Sequence, residues 1–419
     1  MSEPRVVIVG AGVVGLACAW ELRQRGADVV VLDRAGVGGG ASRGNTGWVS
    51  PSLTYPLPGP GMLREGVRQL LTGGDAFVLR PTLDPAFARW LWSFRRNCSR
   101  ARFDAGIRAL LALNRRTLEL FDAYRDAGVA FEMHTAGLVV AARTPDGLDL
   151  YRRTFQRLRE LGYEGGSIDE LDADGLARIE PALDRAGVVA GLHARIDRFV
   201  RPEQLTAGLA DRLRTDGVEI HEGCELRTLA REAGGWALQT TSGAMAAQRL
   251  VIAAGLSTAP VLRRLGVRIP LLGARGYSVT ISGRGTPPRH ALYLAEAKLG
   301  LSPFDGGVRV AGVFELGASN QDTSRAAGER LLAAARPYLA GWRPDPDGPV
   351  EAWAGLRPAT PDGLPLIGAL AGLEGIYLAT GHGMLGVTLA PATANLLAPL
   401  VLEGRAAPEL VPFDPARKL

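Results

Sequence analysis

Apolar positions along this 419-residue chain fall into short β-branched runs separated by stretches with helical spacing. Val6-Val-Ile-Val9 is a compact apolar run, residues 13–25 repeat apolar positions every three or four residues, and Asp28-Val-Val-Val-Leu-Asp33 is a second run. That order predicts one βαβ unit. Glycine, serine, asparagine and proline then dominate through Pro60 and predict a long loop. From about Met62 to Ala127 the spacing is mainly helical, Leu138-Val-Val-Ala-Ala142 reads as a strand, and Leu148–Leu161 as another helix. Residues 203–216 predict a helix leading into Val218-Glu-Ile220, and Leu250-Val-Ile-Ala-Ala254 a strand closing on Gly255. Residues 277–282 and 308–314 alternate as half-buried antiparallel strands do, and they predict a separate sheet. Gly375-Ile-Tyr-Leu-Ala-Thr380 is a last apolar strand before a long helix.

A chain of 419 residues exceeds one ordinary core, so two domains are expected. Hydrophobic content of 47% with 22% charged residues fits a globular protein. The uncharged stretch Gly375–Leu402 is long enough to cross a bilayer, but Pro391, Asn395 and Pro399 favour a buried strand, loop and helix. An apolar strand within the first residues, where a secretory leader would stand, predicts a cytoplasmic protein. The net charge of +5 is carried by arginines, Lys298 and Lys418 being the only lysines, and most arginines alternate with acids. Without a basic stripe and stacking aromatics, no nucleic-acid partner is expected. Cys18, Cys98 and Cys224 and the five histidines are dispersed, so neither a metal site nor a disulfide framework is expected.

The chemistry concentrates at the two ends. In Gly10-Ala-Gly12-Val-Val14-Gly15 the first glycine permits a tight turn, the second admits a pyrophosphate, and the third lets helix and strand pack closely. Asp33, with Arg34 after it, ends the second strand where a carboxylate accepts from ribose hydroxyls. This fingerprint alone does not separate NAD from FAD. The distant Thr380-Gly381-His382-Gly383-Met384-Leu385-Gly386 does, because its glycines can aim helix N–H groups at a flavin ring that carries negative charge when reduced. The strand closing on Ala254-Gly255 brings further backbone to the cofactor. FAD is the expected cofactor, held noncovalently, since no cysteine follows Cys224.

At these residues the chain resembles the FAD-dependent amine and amino-acid oxidoreductases that include D-amino-acid oxidase and glycine oxidase. Val6–Gly15, Gly44-Asn45-Thr46-Gly47 with Ser50-Pro51, Trp90-Leu-Trp92 with Arg96-Asn-Cys98, Gly276-Tyr277-Ser278, Gly355–Gly368 and Thr380–Gly386 carry the resemblance in order along nearly the whole chain. Within that family it looks most like the bacterial D-amino-acid dehydrogenases. The resemblance implies an α/β fold, α+β overall, with a discontinuous Rossmann-like FAD domain (1–55, 190–262 and 350–419). A substrate domain (56–189 and 263–349) would carry a mostly antiparallel sheet and helices. It also implies that Arg357 of Gly-Leu-Arg-Pro binds the substrate carboxylate, a role that a guanidinium fork suits. Tyr277 would assist, line the pocket, or be a core tyrosine whose hydroxyl merely finds a partner, and Trp48 and Tyr55 would either line the pocket or pack in the core. Ser42, Asn45, Thr46 and Gly47 match the loop passing the phosphates and ring, and Leu226 would lie toward the adenine.

The expected reaction is hydride transfer from the CH–NH group of a small amino acid, best matched by a D-amino acid, to flavin N5. Arg357 and Tyr277 would hold the carboxylate, and the imino acid would hydrolyse to a 2-oxo acid. Electrons would pass to a quinone or another carrier. Rivals are a glycine- or sarcosine-type oxidase using oxygen, a proline or hydroxyproline dehydrogenase, and a flavin-binding protein without activity. Trp90, Trp92 and Phe94 among arginines suit either a packed helix or peripheral contact with the inner face of the cell membrane.

Overall fold

A computed structural model describes residues 5–62, 64, 68, 77–80, 82–318, 320–323, 325–345, 347, 348 and 350–419. The βαβ unit forms as its pattern predicts: strand Arg5–Val9, helix Val13–Gln24 and strand Asp28–Leu32. These strands pair in parallel, and Glu219–His221 on one side with Arg249–Ile252 and Ile376–Thr380 on the other extend the parallel set to five. Leu366–Ala369 adds an antiparallel edge. Buried on both faces, such strands read as continuous apolar runs. One face packs under helices Val13–Gln24, Pro202–Thr215 and Gly386–Glu403. The other packs under a small antiparallel sheet of Leu226–Glu232, Gly235–Thr240 and Gly243–Ala247, through Trp236 and Leu238. The uncharged stretch 375–402 thus becomes a strand, a loop and a helix whose Pro391 and Pro399 are accommodated inside it, with most of its residues buried.

A second sheet of nine strands carries the rest. Leu272–Ile281 pairs antiparallel with both Gly307–Leu316 and Val350–Ala359, which is the outermost strand of the run. Leu299–Phe304, Ala291–Leu294, Leu138–Ala142, Ala190–Ala194 and Ile168–Asp172 follow in that order. Most pairings are antiparallel, as expected; Ala291–Leu294 with Leu138–Ala142 and Phe77–Leu79 with Gly307–Leu316 are parallel. The helical region resolves into Pro85–Asn97, Arg100–Asn114 and Thr117–Asp126, with Asp84 and Ser99 capping the first two through their side chains. The part of that expectation on residues 63, 65–67, 69–76 and 81 lies outside the described residues.

Three expected boundaries move. Ala190–Ala194 and Val350–Ala359 hydrogen-bond into the nine-stranded sheet, not the parallel one. Helices Arg100–Asn114 and Thr117–Asp126 put Leu110, Leu113, Leu120 and Phe121 into the same core as helix Gly386–Glu403. A local apolar run predicts a strand but not which sheet it joins, and the partner decides that.

Candidate active site

At the carboxyl ends of the parallel strands lies a cleft of about 680 Å³, the place where open α/β sheets bind their ligands. Gly10, Gly12 and Val14 line it from the first turn, Asp33 and Arg34 from the second strand, and Ala254 and Gly255 from the fourth. Leu226 closes one side; Ser42 and Asn45 come from the long loop; Gly381, His382, Gly383 and Gly386 come from the far end of the chain. The glycines are needed at backbone level. A Cβ on Gly10 would stand 2.6 Å from the Ala253 carbonyl oxygen, and one on Gly15 1.8 Å from that of Gly10. Gly15 accordingly lies beneath the turn and does not line the cleft, as its expected packing role requires.

Asp33 builds the turn as well as facing the cleft. Its Oδ2 accepts the Ala11 N–H at 2.8 Å, and its Oδ1 accepts those of Ala35 at 2.8 Å and Gly36 at 3.1 Å. Since each carboxylate oxygen can accept two bonds, Oδ2 keeps capacity for a ribose hydroxyl. Helices Val13–Gln24 and Gly386–Glu403 both begin at the cleft, and neither has a side-chain cap at its N-cap residue. At the first of them Ser42 Oγ accepts the Val13 N–H at 3.0 Å. Glycine backbone, two positive helix ends and a strand-end carboxylate fit a dinucleotide with a pyrophosphate and a ring that becomes anionic. His382 is buried and shares a hydrogen bond with Thr393 Oγ1 at 3.0 Å; burial pushes its pKa down to about 3. It is therefore neutral at ordinary pH and orders the loop, whose backbone bridges to Ala359 at the end of strand Val350–Ala359. Met384 is exposed and Leu385 packs into the core; neither lines the cleft. Sequence reasoning missed Ser257, Pro260, Arg264 and Gln321, which do. They follow the recognised motifs without a pattern of their own.

The loop from Gly44 to Ser52 is fastened by buried and half-buried polar side chains that the sequence did not flag. Glu203 Oε1 accepts the Gly44 N–H at 2.9 Å, while the fully buried Arg309 donates to the Asn45 carbonyl at 2.8 Å and pairs with Glu203 at 3.0 Å. Ser302 Oγ donates to the Thr46 carbonyl at 2.7 Å and accepts from the Trp48 indole at 3.0 Å. Gly47 packs against the Val200 carbonyl, and neither it nor Thr46 lines the cleft. Farther along, Ser50 and Ser52 donate to the buried carboxyl of Asp197. Burial raises that carboxyl to a pKa of about 6, against the opposing hydrogen bonds of the two serines.

Asp197 makes stability depend on pH. Its folded pKa lies above the ordinary carboxyl value of 3.8, so the native state holds more protons between about pH 4 and 6. Its contribution therefore falls as pH rises through that window and is level above it. Asp197→Asn should remove this slope, gaining on wild type by about 2–3 kcal/mol between pH 4 and pH 7. Thermal melts across that range check it; parallel Tm curves for the two proteins would contradict it.

Arg357 sits between Leu356 and Pro358, both of which line the cleft, while its own side chain takes the other face of the strand and does not line it. Its guanidinium lies over Gly276, donates to the Val313 carbonyl at 3.0 Å and stands 6.0 Å from the Phe314 ring. Burial lowers its pKa to about 10, and no carboxylate pairs with it among the described residues. A desolvated cation without a counter-ion is costly, and an anionic ligand would offset that cost.

Tyr277 is a correction. In the regular pairing of Leu272–Ile281 with Val350–Ala359, Arg357 stands opposite Ala274 and Tyr277 opposite Ala354. Paired residues share a face and successive residues alternate, so Tyr277 points away from Arg357. Its hydroxyl donates to Glu315 at 3.1 Å, beside Arg275. Trp48 and Tyr55 take the packing option left open for them. Trp48 meets Tyr293 edge-on at 5.8 Å, Tyr55 meets Phe103 at 6.3 Å, and neither lines the cleft. The dispersed histidines conceal one cluster, His134 with Glu132 and Asp305. There Glu132 already pairs with Arg201 at 3.1 Å and accepts the Asp305 N–H at 2.7 Å.

The family model described as FAD dependent oxidoreductase matches residues 5–400. The chain belongs to that family. It is an FAD-dependent enzyme, and the cleft is where this family member's own residues suit the cofactor. Among curated relatives, a D-amino acid dehydrogenase of Phenylobacterium zucineum is 32% identical over 427 residues, spanning 98% of each chain. Another, of Cereibacter sphaeroides, is 31% identical over 417 residues, covering 98% of this chain and 94% of the relative. Among solved structures, glycine oxidase from Geobacillus kaustophilus superposes with a TM-score of 0.77 at 22% identity over all of both chains. L-proline dehydrogenase from P. horikoshii gives 0.71 at 19% identity, covering 99% of this chain and 98% of that one. These last two establish the shared fold.

Proposed function

We propose that this oxidoreductase oxidises the CH–NH bond of a small D-amino acid and passes the electrons to a quinone or another carrier. The observation that carries the reading is Arg357, a half-buried guanidinium without a carboxylate partner among the described residues, on a strand that borders the FAD cleft. A substrate carboxylate supplies the missing charge and accepts two parallel N–H bonds. FAD, when bound, supplies the hydride acceptor. Arg357 fixes one end of the substrate, and such orientation accounts for much of the rate in a reaction that needs neither nucleophile nor metal. The choice of D-amino acid rests on the curated relatives with that name, which match along almost the whole chain.

For the acceptor, the reading is a membrane-borne carrier approached from helix Pro85–Asn97. That helix turns Trp90 and Phe94 inward, stacked at 5.4 Å, so these two take the packed option left open for them. Trp92 remains outside, 59% exposed, under Arg96 at 4.6 Å, with Arg89 and Arg95 exposed beside it and Leu83 wholly so. Cations flanking protruding apolar side chains suit an anionic lipid surface at the inner face of the membrane. The Trp90 indole donates to the Ala359 carbonyl at 3.3 Å, linking this helix to the Arg357 strand.

The test is an anaerobic absorption spectrum of the FAD-loaded protein before and after D-amino acids, glycine, sarcosine and proline stereoisomers. Bleaching of the flavin band by D-amino acids is expected. Bleaching only by glycine or sarcosine, or only by proline, would move the substrate class, and no bleaching by any amine would end the reading. Sedimentation of the same preparation with phosphatidylglycerol vesicles examines the surface, and a protein left wholly in the supernatant would remove the membrane contact.

A further inference from the structure

The strand pairing beside Arg357 is interrupted at one place. Arg275 pairs with Glu315 and Tyr277 with Gly312, so Gly276 alone faces two residues, Val313 and Phe314. This is a β-bulge, a device that re-aims local groups next to active sites. Val313 adopts φ 64°, left-handed backbone that a β-branched residue rarely takes. Such a conformation persists where surrounding structure imposes it, and it gathers at ligand clamps. Its carbonyl accepts from Arg357 Nη1 at 3.0 Å. Across the ladder, Gly276 leaves the space the guanidinium fills: a Cβ there would stand 2.1 Å from Nη1 and Nη2 and 2.2 Å from Cζ.

We propose that the bulge at Val313 and Phe314, with Gly276 opposite, is a preformed seat that aims the Arg357 guanidinium at the substrate carboxylate. Val313 and Gly276 are positioning residues, acting through Arg357, and the inference rests on the carboxylate reading above. The physical logic is pre-organisation. A long, flexible side chain loses rotamer freedom when it binds, and a seat that has already restricted it leaves less to lose. The seat uses a carbonyl and not a carboxylate, so the arginine is held without being neutralised and keeps its charge for the ligand. Phe314, stacked on Phe77 at 5.9 Å, stiffens the bulge from the side.

The test uses FAD-loaded enzyme and two readouts: steady-state kinetics with the amino acid that bleaches the flavin, and propionate affinity followed by flavin absorbance. Gly276 has no positive φ, and the three nearest atoms a Cβ would meet all belong to the movable Arg357 guanidinium, so Gly276→Ala should fold and bind FAD. Its expected phenotype is a raised KM, a fall in kcat/KM of about a hundredfold, and a parallel loss of propionate affinity. Val313→Pro, whose ring holds φ near −65° and turns the carbonyl away, should reproduce it at unchanged FAD content. Arg357→Met separates the two ideas. If it loses propionate affinity while Gly276→Ala keeps wild-type values, the seat is refuted and the carboxylate reading stands. If Arg357→Met itself keeps wild-type affinity and KM, the carboxylate reading fails first.

Discussion

Arg357→Met is expected to lower kcat/KM by roughly 10²–10⁴-fold, with FAD still bound at the wild-type ratio. The magnitude follows from removing one partner of the proposed charge-assisted fork, which would leave the substrate carboxylate unpaired. The stability change should run the other way. Without substrate, wild type carries a guanidinium whose pKa burial lowers to about 10 and which, among the described residues, makes a single hydrogen bond, to a backbone carbonyl. Methionine fills much of the same space without that cost, so the variant's Tm should equal or exceed that of wild type. Stability sacrificed at a binding site is a familiar trade-off. Steady-state kinetics, the ratio of flavin to protein absorbance and a thermal melt check all three parts. Wild-type KM would refute the assignment, and loss of FAD together with a lower Tm would make Arg357 a structural residue.

Gly15→Ala is the second large effect. The added methyl would stand 1.8 Å from the Gly10 carbonyl oxygen and 3.4 Å from Ala253 Cβ. Neither is the end of a flexible side chain, so helix Val13–Gln24 must lift from its strand. Gly10, at φ 116°, is already held in a conformation that side chains avoid, and its turn cannot give way. A cost of roughly 3 kcal/mol or more is expected from such overpacking. Because the helix start and Gly12 lie at the cleft floor, FAD affinity should collapse with it, and the protein should purify colourless. Flavin absorbance of the purified variant, with a melt in excess FAD, measures this. A yellow variant with wild-type Tm would show that the turn is far softer than its contacts imply.

Much of the fold is legible because its signals are local. Val6–Val9, Val29–Leu32 and Ile376–Thr380 are apolar runs that can only be buried strands, and Gly10, Gly12 and Gly15 answer a need of the chain within a few residues. The cleft followed from the same signals, since each of those strands ends in a glycine or an acid that meets the others wherever parallel strands end together.

What tertiary structure alone decided depends on partners distant in sequence. Alternation along Leu272–Ile281 separates Gly276 from Tyr277, but which of them shares a face with Arg357 is set by register with a strand some 80 residues later. That register put Tyr277 on Glu315 and left Gly276 beneath the guanidinium. The bulge at Val313 leaves no mark in composition, because valine is among the residues least suited to its φ. Arg309, Glu203 and Asp197 carry no motif; they become the fastenings of the Gly44–Ser52 loop only when strands and helices from separate segments converge. The sequence by itself determined the cofactor, the family and the strand ends that make the cleft, because backbone needs are met locally. Tertiary structure decided which side chains share a face with Arg357, because a side chain's direction in a sheet is a property of its pairing.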